Sequence, residues 1–185
     1  MRIFICKTVF SALLLTSLLP LPLHADYSEV DKAKLTVFND ACVNKWMEGV
    51  GTHDAGHYKA LGTHFCGCAG KQMLPLMNKA DATKEETDAA NQQVSGVCLT
   101  EAVLHHTVNT FSEKNNVTEQ KLETGCLSTW QLLFSAEPTA DQKQFQTAYC
   151  HCAAAPLAAL SDEKDKLTDA QYADKLSTIA ANCRK

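Results

Sequence analysis

Strand signals are nearly absent from this chain of 185 residues. Alternating apolar and polar runs bounded by turn residues hardly occur, which argues against a sandwich, a barrel or a parallel sheet. Recognisable catalytic motifs are lacking too. No G-x-S-x-G is present, so a nucleophile elbow is excluded. No H-E-x-x-H, glycine-rich phosphate loop or EF-hand loop occurs, which removes the zincin, P-loop and EF-hand readings. The Cys-Cys-x-x-His-Asp pattern of secreted phospholipases is missing as well. Nor is there an excess of basic residues. Seventeen Lys and Arg face 21 Asp and Glu, a poor endowment for nonspecific nucleic-acid binding.

What the chain does have is cysteine. Cys42, Cys66, Cys68 and Cys98 stand 24, 2 and 30 residues apart. Cys126, Cys150, Cys152 and Cys183 stand 24, 2 and 31 apart. The match runs beyond the cysteines. Trp46 and Trp130 each follow the first Cys of a set by four residues, and Phe65 and Tyr149 each precede a Cys-x-Cys. Thr83-x-x-Glu86 and Thr168-x-x-Gln171 are capping boxes 15 residues before the last Cys of each set. The pattern predicts a tandem duplication.

Residues 1–25 read as a targeting segment. Arg2 and Lys7 precede an apolar run around Leu13–Leu15, Pro20 and Pro22 end it, and Ala25 offers a small residue for cleavage. The run is short for a membrane span. Its removal takes Cys6 away and leaves an even count of eight cysteines, as a disulfide framework in an oxidising compartment requires. It also leaves 15 basic against 21 acidic residues, a net charge of −6. The expected location is secreted or periplasmic, with no transmembrane segment after cleavage and no nucleic-acid partner.

Apolar residues recur at helical spacing throughout. Helices are predicted near 28–49, 55–79, 84–112, 118–134, 140–160 and 169–183. Pro75 should kink or shorten the second. The chain break between halves falls at Asn115-Asn116. The expected fold is all-α, a duplicated, disulfide-stapled three-helix unit of about six helices. The first repeat covers 26–114 and the second 115–185, and the two pack as one domain. Leu104, Val108 and Phe111 extend the third helix beyond its cysteine and should dock the halves together.

Cys-x-Cys on a helix has a geometric consequence. Residues two apart point about 200° apart around the axis. Each sulfur therefore suits a different neighbouring helix. The favoured pairing is sequential: Cys42–Cys66, Cys68–Cys98, Cys126–Cys150 and Cys152–Cys183. The crossed pairing within each repeat stays open.

Candidate functional residues cluster where the repeats differ. His53, His57 and His64 form a stripe whose counterparts in the second repeat are Glu137, Asp141 and Ala148. Imidazoles one turn apart can share an ion, so the stripe raises a Zn or Cu site. The plainer reading is a solvated polar face. His105 and His106, with Glu101 one turn earlier, read as a surface or inter-repeat pair or as a pH-sensitive contact. His151 sits inside the second Cys-x-Cys, beside cysteines that the repeat marks as structural. An Asp54–His57 pair is the best candidate for a dispersed hydrolase site. His57, Tyr58 and Lys59 are expected to form a binding patch, an aromatic among ionisable groups.

The leader, the paired motifs Phe65-Cys66-Gly67-Cys68 and Tyr149-Cys150-His151-Cys152, and the helical composition resemble small cysteine-rich proteins exported by Gram-negative bacteria. Some of these are cargo of type II secretion in host-associated species. The resemblance implies work in the periplasm or outside the cell, during interaction with a host, and transfers no catalytic residue. The leading expectation is a non-enzymatic binding protein with no cofactor that recognises a protein or a lipid headgroup. Metal binding and dispersed hydrolysis are the alternatives.

Overall fold

The computed structural model describes residues 27–111 and 117–185, apart from Thr52 and Ser135. The expected targeting segment, 1–25, and the expected break at Asn115-Asn116 lie outside the described residues. Six α-helices follow in order: α1 (Glu29–Met47), α2 (Ala55–Met77), α3 (Lys84–Phe111), α4 (Glu119–Gln131), α5 (Ala140–Glu163) and α6 (Asp169–Cys183). A 3-10 turn at Lys164–Lys166 follows α5. Among the described residues there is no strand.

Short polar residues start these helices by satisfying backbone N–H groups that have no intrahelical acceptor. Ser28 accepts from the Asp31 amide, Asp54 from His57, and Thr118 from Lys121. Thr139 with Gln142, and Thr168 with Gln171, form reciprocal capping boxes. Thr83 and Glu86 do the same at α3, with bonds of 3.0 and 3.2 Å. Pro75 does not end α2 early. It stands in the last turn, and the helix runs on to Met77. In α4 the helix stops at Gln131, short of the expected end, and Leu133 closes a turn onto the Trp130 carbonyl at 3.0 Å.

Four disulfides staple the helices, in the sequential pattern. Cys42 joins Cys66, Cys68 joins Cys98, Cys126 joins Cys150 and Cys152 joins Cys183. The middle helix of each half is thus tied to the helix before it by one sulfur and to the helix after it by the other. All four bonds stay within a half.

The halves share one core. Trp46, Leu61, Val103, Leu104 and Val108 pack in the same cluster as Leu122, Trp130, Tyr149, Leu157 and Leu176. The C-terminal part of α3 makes the join. Tyr149 donates to the Thr100 carbonyl at 2.8 Å, and the Thr107 and Thr129 hydroxyls meet at 3.3 Å. Phe111 lies across Gly125 of α4, where an added Cβ would come within 2.5 Å of its ring. A second, smaller cluster of Ala69, Met73, Val94 and Cys98 fills the far end of the α2–α3 pair.

The two tryptophans hold equivalent sequence positions in different surroundings. Trp46 lies on Gly62 and donates its Nε1–H to the Tyr58 carbonyl at 3.0 Å. Trp130 packs edge-on to Phe145 and Tyr149, and its buried Nε1 has no acceptor among the described residues.

Candidate functional site

The histidines of the first half meet across the seam between α2 and α3. Asp54 caps α2 and fixes where the helix begins, which puts His57 in its first turn and His64 two turns on. The Cys68–Cys98 bond sets the register of the two helices. His64 then stacks on His105, ring centroids 4.6 Å apart and planes within 12°. His57 meets His106 edge to face at 5.2 Å. Asn109 Nδ2 lies 3.5 Å from His64 Nε2, and Thr110 Oγ1 lies 3.4 Å from His106 Nε2.

Burial dominates the protonation of this seam. It lowers the His64 pKa. His105 is held down to about 4, first by burial and then by the charges of His64 and Lys71. His106 is also held down to about 4, by burial and then by His57 and His64. At neutral pH His64, His105 and His106 are therefore uncharged. A low dielectric penalises the charged form, and a like charge across the seam penalises it again.

The stripe His53, His57 and His64 does not converge on one point. His53 stacks on Tyr58 at 5.4 Å, His57 faces His106 and His64 faces His105. An imidazole lone pair lies in the ring plane, so stacked rings do not aim their lone pairs at a shared ion. Among the described residues, no three His, Cys, Asp or Glu side chains stand where they could hold a metal. Among the described residues, all eight cysteines are committed to disulfides.

The suggested Asp54–His57 pair is a helix cap. Asp54 Oδ1 accepts from the His57 backbone N–H at 2.9 Å, and that bond is the main cause lowering the Asp54 pKa. Nor do His57, Tyr58 and Lys59 form one patch. Successive helical residues point about 100° apart, and here they face three environments. His57 faces the α2–α3 seam. Tyr58 is half-buried against Trp46 at 5.3 Å, and burial raises its pKa. Lys59 is exposed and lines an open groove between α1 and α2.

That groove has a volume of about 450 Å³, and Asn39, Asp40, Val43, Asn44 and Thr63 complete its lining. A second depression, of about 510 Å³, lies along the start of α3 beside Lys84, Glu85 and Asp88. The outer side of α1 carries Val30 and Val37, 65% and 71% exposed. Val37 stands one turn before Asp40, on the same side as the groove-lining residues Asp40 and Asn44.

Glu101, one turn before His105, is a half-buried carboxylate. It faces the Ser177 hydroxyl and the charges of Lys71 and Arg184, while burial raises its pKa. Its Oε2 lies 3.9 Å from Cys68 Sγ, whose bond to Cys98 leaves no S–H to donate. His151 is exposed and reaches Glu123 of α4 at 3.3 Å. No family model, curated protein or solved structure matches this chain.

Proposed function

We propose that this is an exported, non-enzymatic binding protein that recognises a protein partner through the α1–α2 face of its first half. The observation that carries the reading is the composition of that face. Val37, exposed, adjoins a groove lined by Asp40, Asn44 and Lys59. Apolar area set among charges and amides is the ordinary make-up of a protein interface. The face stands on helices held by Cys42–Cys66 and Cys68–Cys98, so little ordering is required when a partner docks.

Export is supported by the leader-like residues 1–25 and by four disulfides, which persist in oxidising compartments. Among the described residues, no helix is long and apolar enough to cross a membrane. The two halves read as copies of one unit. Their cysteine spacings and the order of their staples support this.

The test is affinity capture on the immobilised, disulfide-intact chain, with Val37→Asp and Lys59→Glu in parallel. A protein that binds the native chain and loses at least tenfold in affinity to each variant supports the reading. Loss of binding on substitution in α4–α6 alone would contradict it. Binding to vesicles of anionic lipid that survives both substitutions would move the function to a headgroup.

A further inference from the structure

We propose that the α2–α3 seam of the first half is an acid-opened hinge, with His64, His105 and His106 as its trigger and the Cys68–Cys98 bond as its stop. The inference does not depend on which molecule the α1–α2 face binds.

The geometry is that of a cross-helix pairing. Two imidazoles of α2 meet two of α3, with ring centroids 4.6 and 5.2 Å apart. Uncharged, His106 is buried in the seam, His64 and His105 are half-buried in it, and His57 lies exposed at its edge. Protonated, the His64–His105 pair sets like charges about 5 Å apart in half-buried surroundings, where repulsion is far stronger than in water, and a charge on His106 is buried. The positions of His105 and His106 well below an ordinary histidine express the same penalty.

The neighbouring groups offer no evident relief. Lys71, the charge of α2 that bears on His105, is itself positive. Glu101, one turn before His105, faces Ser177 of α6, Arg184 at the cap of that helix, and Lys71. On α4, Glu123 meets His151 of α5. The polar contacts of the seam are Asn109 to His64 and Thr110 to His106, and both are uncharged.

The staples decide where opening stops. His64 lies one turn before Cys68, and His57 two turns earlier still. Beyond Cys68–Cys98, Ala69, Met73 and Val94 continue the packing. The part that can part from α3 is therefore the N-terminal half of α2, pivoting at the disulfide. That movement carries the Tyr58 carbonyl, which accepts from Trp46 Nε1 at 3.0 Å. Acid would thus alter the α1–α2 corner as well as the seam. α4, α5 and α6 hold their own two disulfides and lie outside the hinge.

The sign follows from linkage. The unfolded or opened form binds protons near pH 6.5, whereas His105 and His106 in the closed seam bind them near 4. The closed form is fully favoured above about pH 6.5 and loses ground as pH falls toward 4.

The experiment is hydrogen exchange by mass spectrometry on the oxidised chain at pH 7 and pH 4, corrected for intrinsic rate. Peptides from 55–64 and 104–111 should lose at least tenfold in protection at pH 4, while α5 and α6 keep theirs. His105→Asn with His106→Gln, which cannot charge, should keep the seam closed at pH 4. A loss spread evenly over the chain overturns the proposal, as does a seam that opens equally in the double variant. Should that variant not fold, histidine NMR on the native chain decides. Two titrations well below pH 6.5, concurrent with seam exchange, support the hinge. Titration of His105 and His106 near 6.5, or no opening through pH 4, overturns it.

Discussion

Replacing Gly62 and Gly67 with alanine should move stability in opposite directions, although both lie inside α2 and only five residues apart. An added Cβ at Gly62 would lie 2.4 Å from Trp46 Cδ1, 2.6 Å from Cγ and 2.7 Å from Nε1. Carbon atoms rest at about 3.5–4.0 Å, so the indole must shift by an ångström or more. It has little room, because Tyr58 and Phe65 pack on it at 5.3 and 5.1 Å and its Nε1 is bonded to the Tyr58 carbonyl. Overpacking of this kind costs about 1–3 kcal/mol. Losing the indole hydrogen bond adds about 1 kcal/mol. Relieving a helix-interior glycine returns about 1 kcal/mol. The net expectation for Gly62→Ala is a loss of about 2 kcal/mol.

Gly67 has nothing within 4 Å of its Cβ position, and among the described glycines only Gly51 has a positive φ. Gly67→Ala therefore keeps only the helix-propensity gain, about 0.5–1 kcal/mol of stabilisation. Urea unfolding followed by far-ultraviolet circular dichroism measures both. With a slope of about 2 kcal/mol/M, Gly62→Ala should lower the midpoint by about 1 M and Gly67→Ala should raise it slightly. A Gly62→Ala midpoint at or above the wild type would refute the packing argument, since the indole would then have somewhere to go.

The disulfides close loops of 24, 30, 24 and 31 residues. Each is worth about 3.5 kcal/mol in the chain-entropy model, so full reduction should lower the melting temperature by tens of degrees; an unchanged midpoint after verified reduction would show that the core alone suffices. Under limiting reductant, Cys152–Cys183 should open first. Cys152 is exposed, whereas Cys66, Cys98 and Cys150 are fully buried, and exchange needs access to a sulfur; peptide mapping that finds another bond opened first contradicts this. At the start of α3, Lys79 and the Thr83 backbone hold Glu86 down to about 2. Its contribution is present above pH 4.5 and lost as pH falls through 2, so Glu86→Gln should flatten that limb of the stability profile, and an unchanged profile would place the acid response elsewhere.

Much of the scaffold was legible because its determinants are local. Ser28, Asp54, Thr139 and Thr168 start helices by bonding amides three residues on, a signal contained within four residues of sequence. Cys-x-Cys fixes two opposite directions on one helix, so stapling of each middle helix to both neighbours followed from helical geometry, and the sequential pairing was favoured over the crossed one that the structure rules out. The candidate site was less legible. His53, His57 and His64 share a sequence stripe, yet the structure distributes them between a tyrosine and two histidines of another helix. Tyr58 looked like a surface aromatic and is packed on Trp46. A usable signal did exist. With Cys68 and Cys98 bonded on antiparallel helices, residues before one fall opposite residues after the other. That register sets His57 and His64 against the span that holds His105 and His106.

By itself, then, the sequence determined the helices, their caps and the two-sided stapling of each middle helix, because turn residues, periodicity and cysteine spacing act within one helix or between neighbours in the chain. Only the tertiary structure decided which faces meet. The rotation of α2 against α3 and the placement of Trp46 over Gly62 emerge when many side chains pack at once. The same holds for the burial that leaves His105 and His106 uncharged at neutral pH. Burial and facing are properties of the assembled core, and no short stretch of chain contains them.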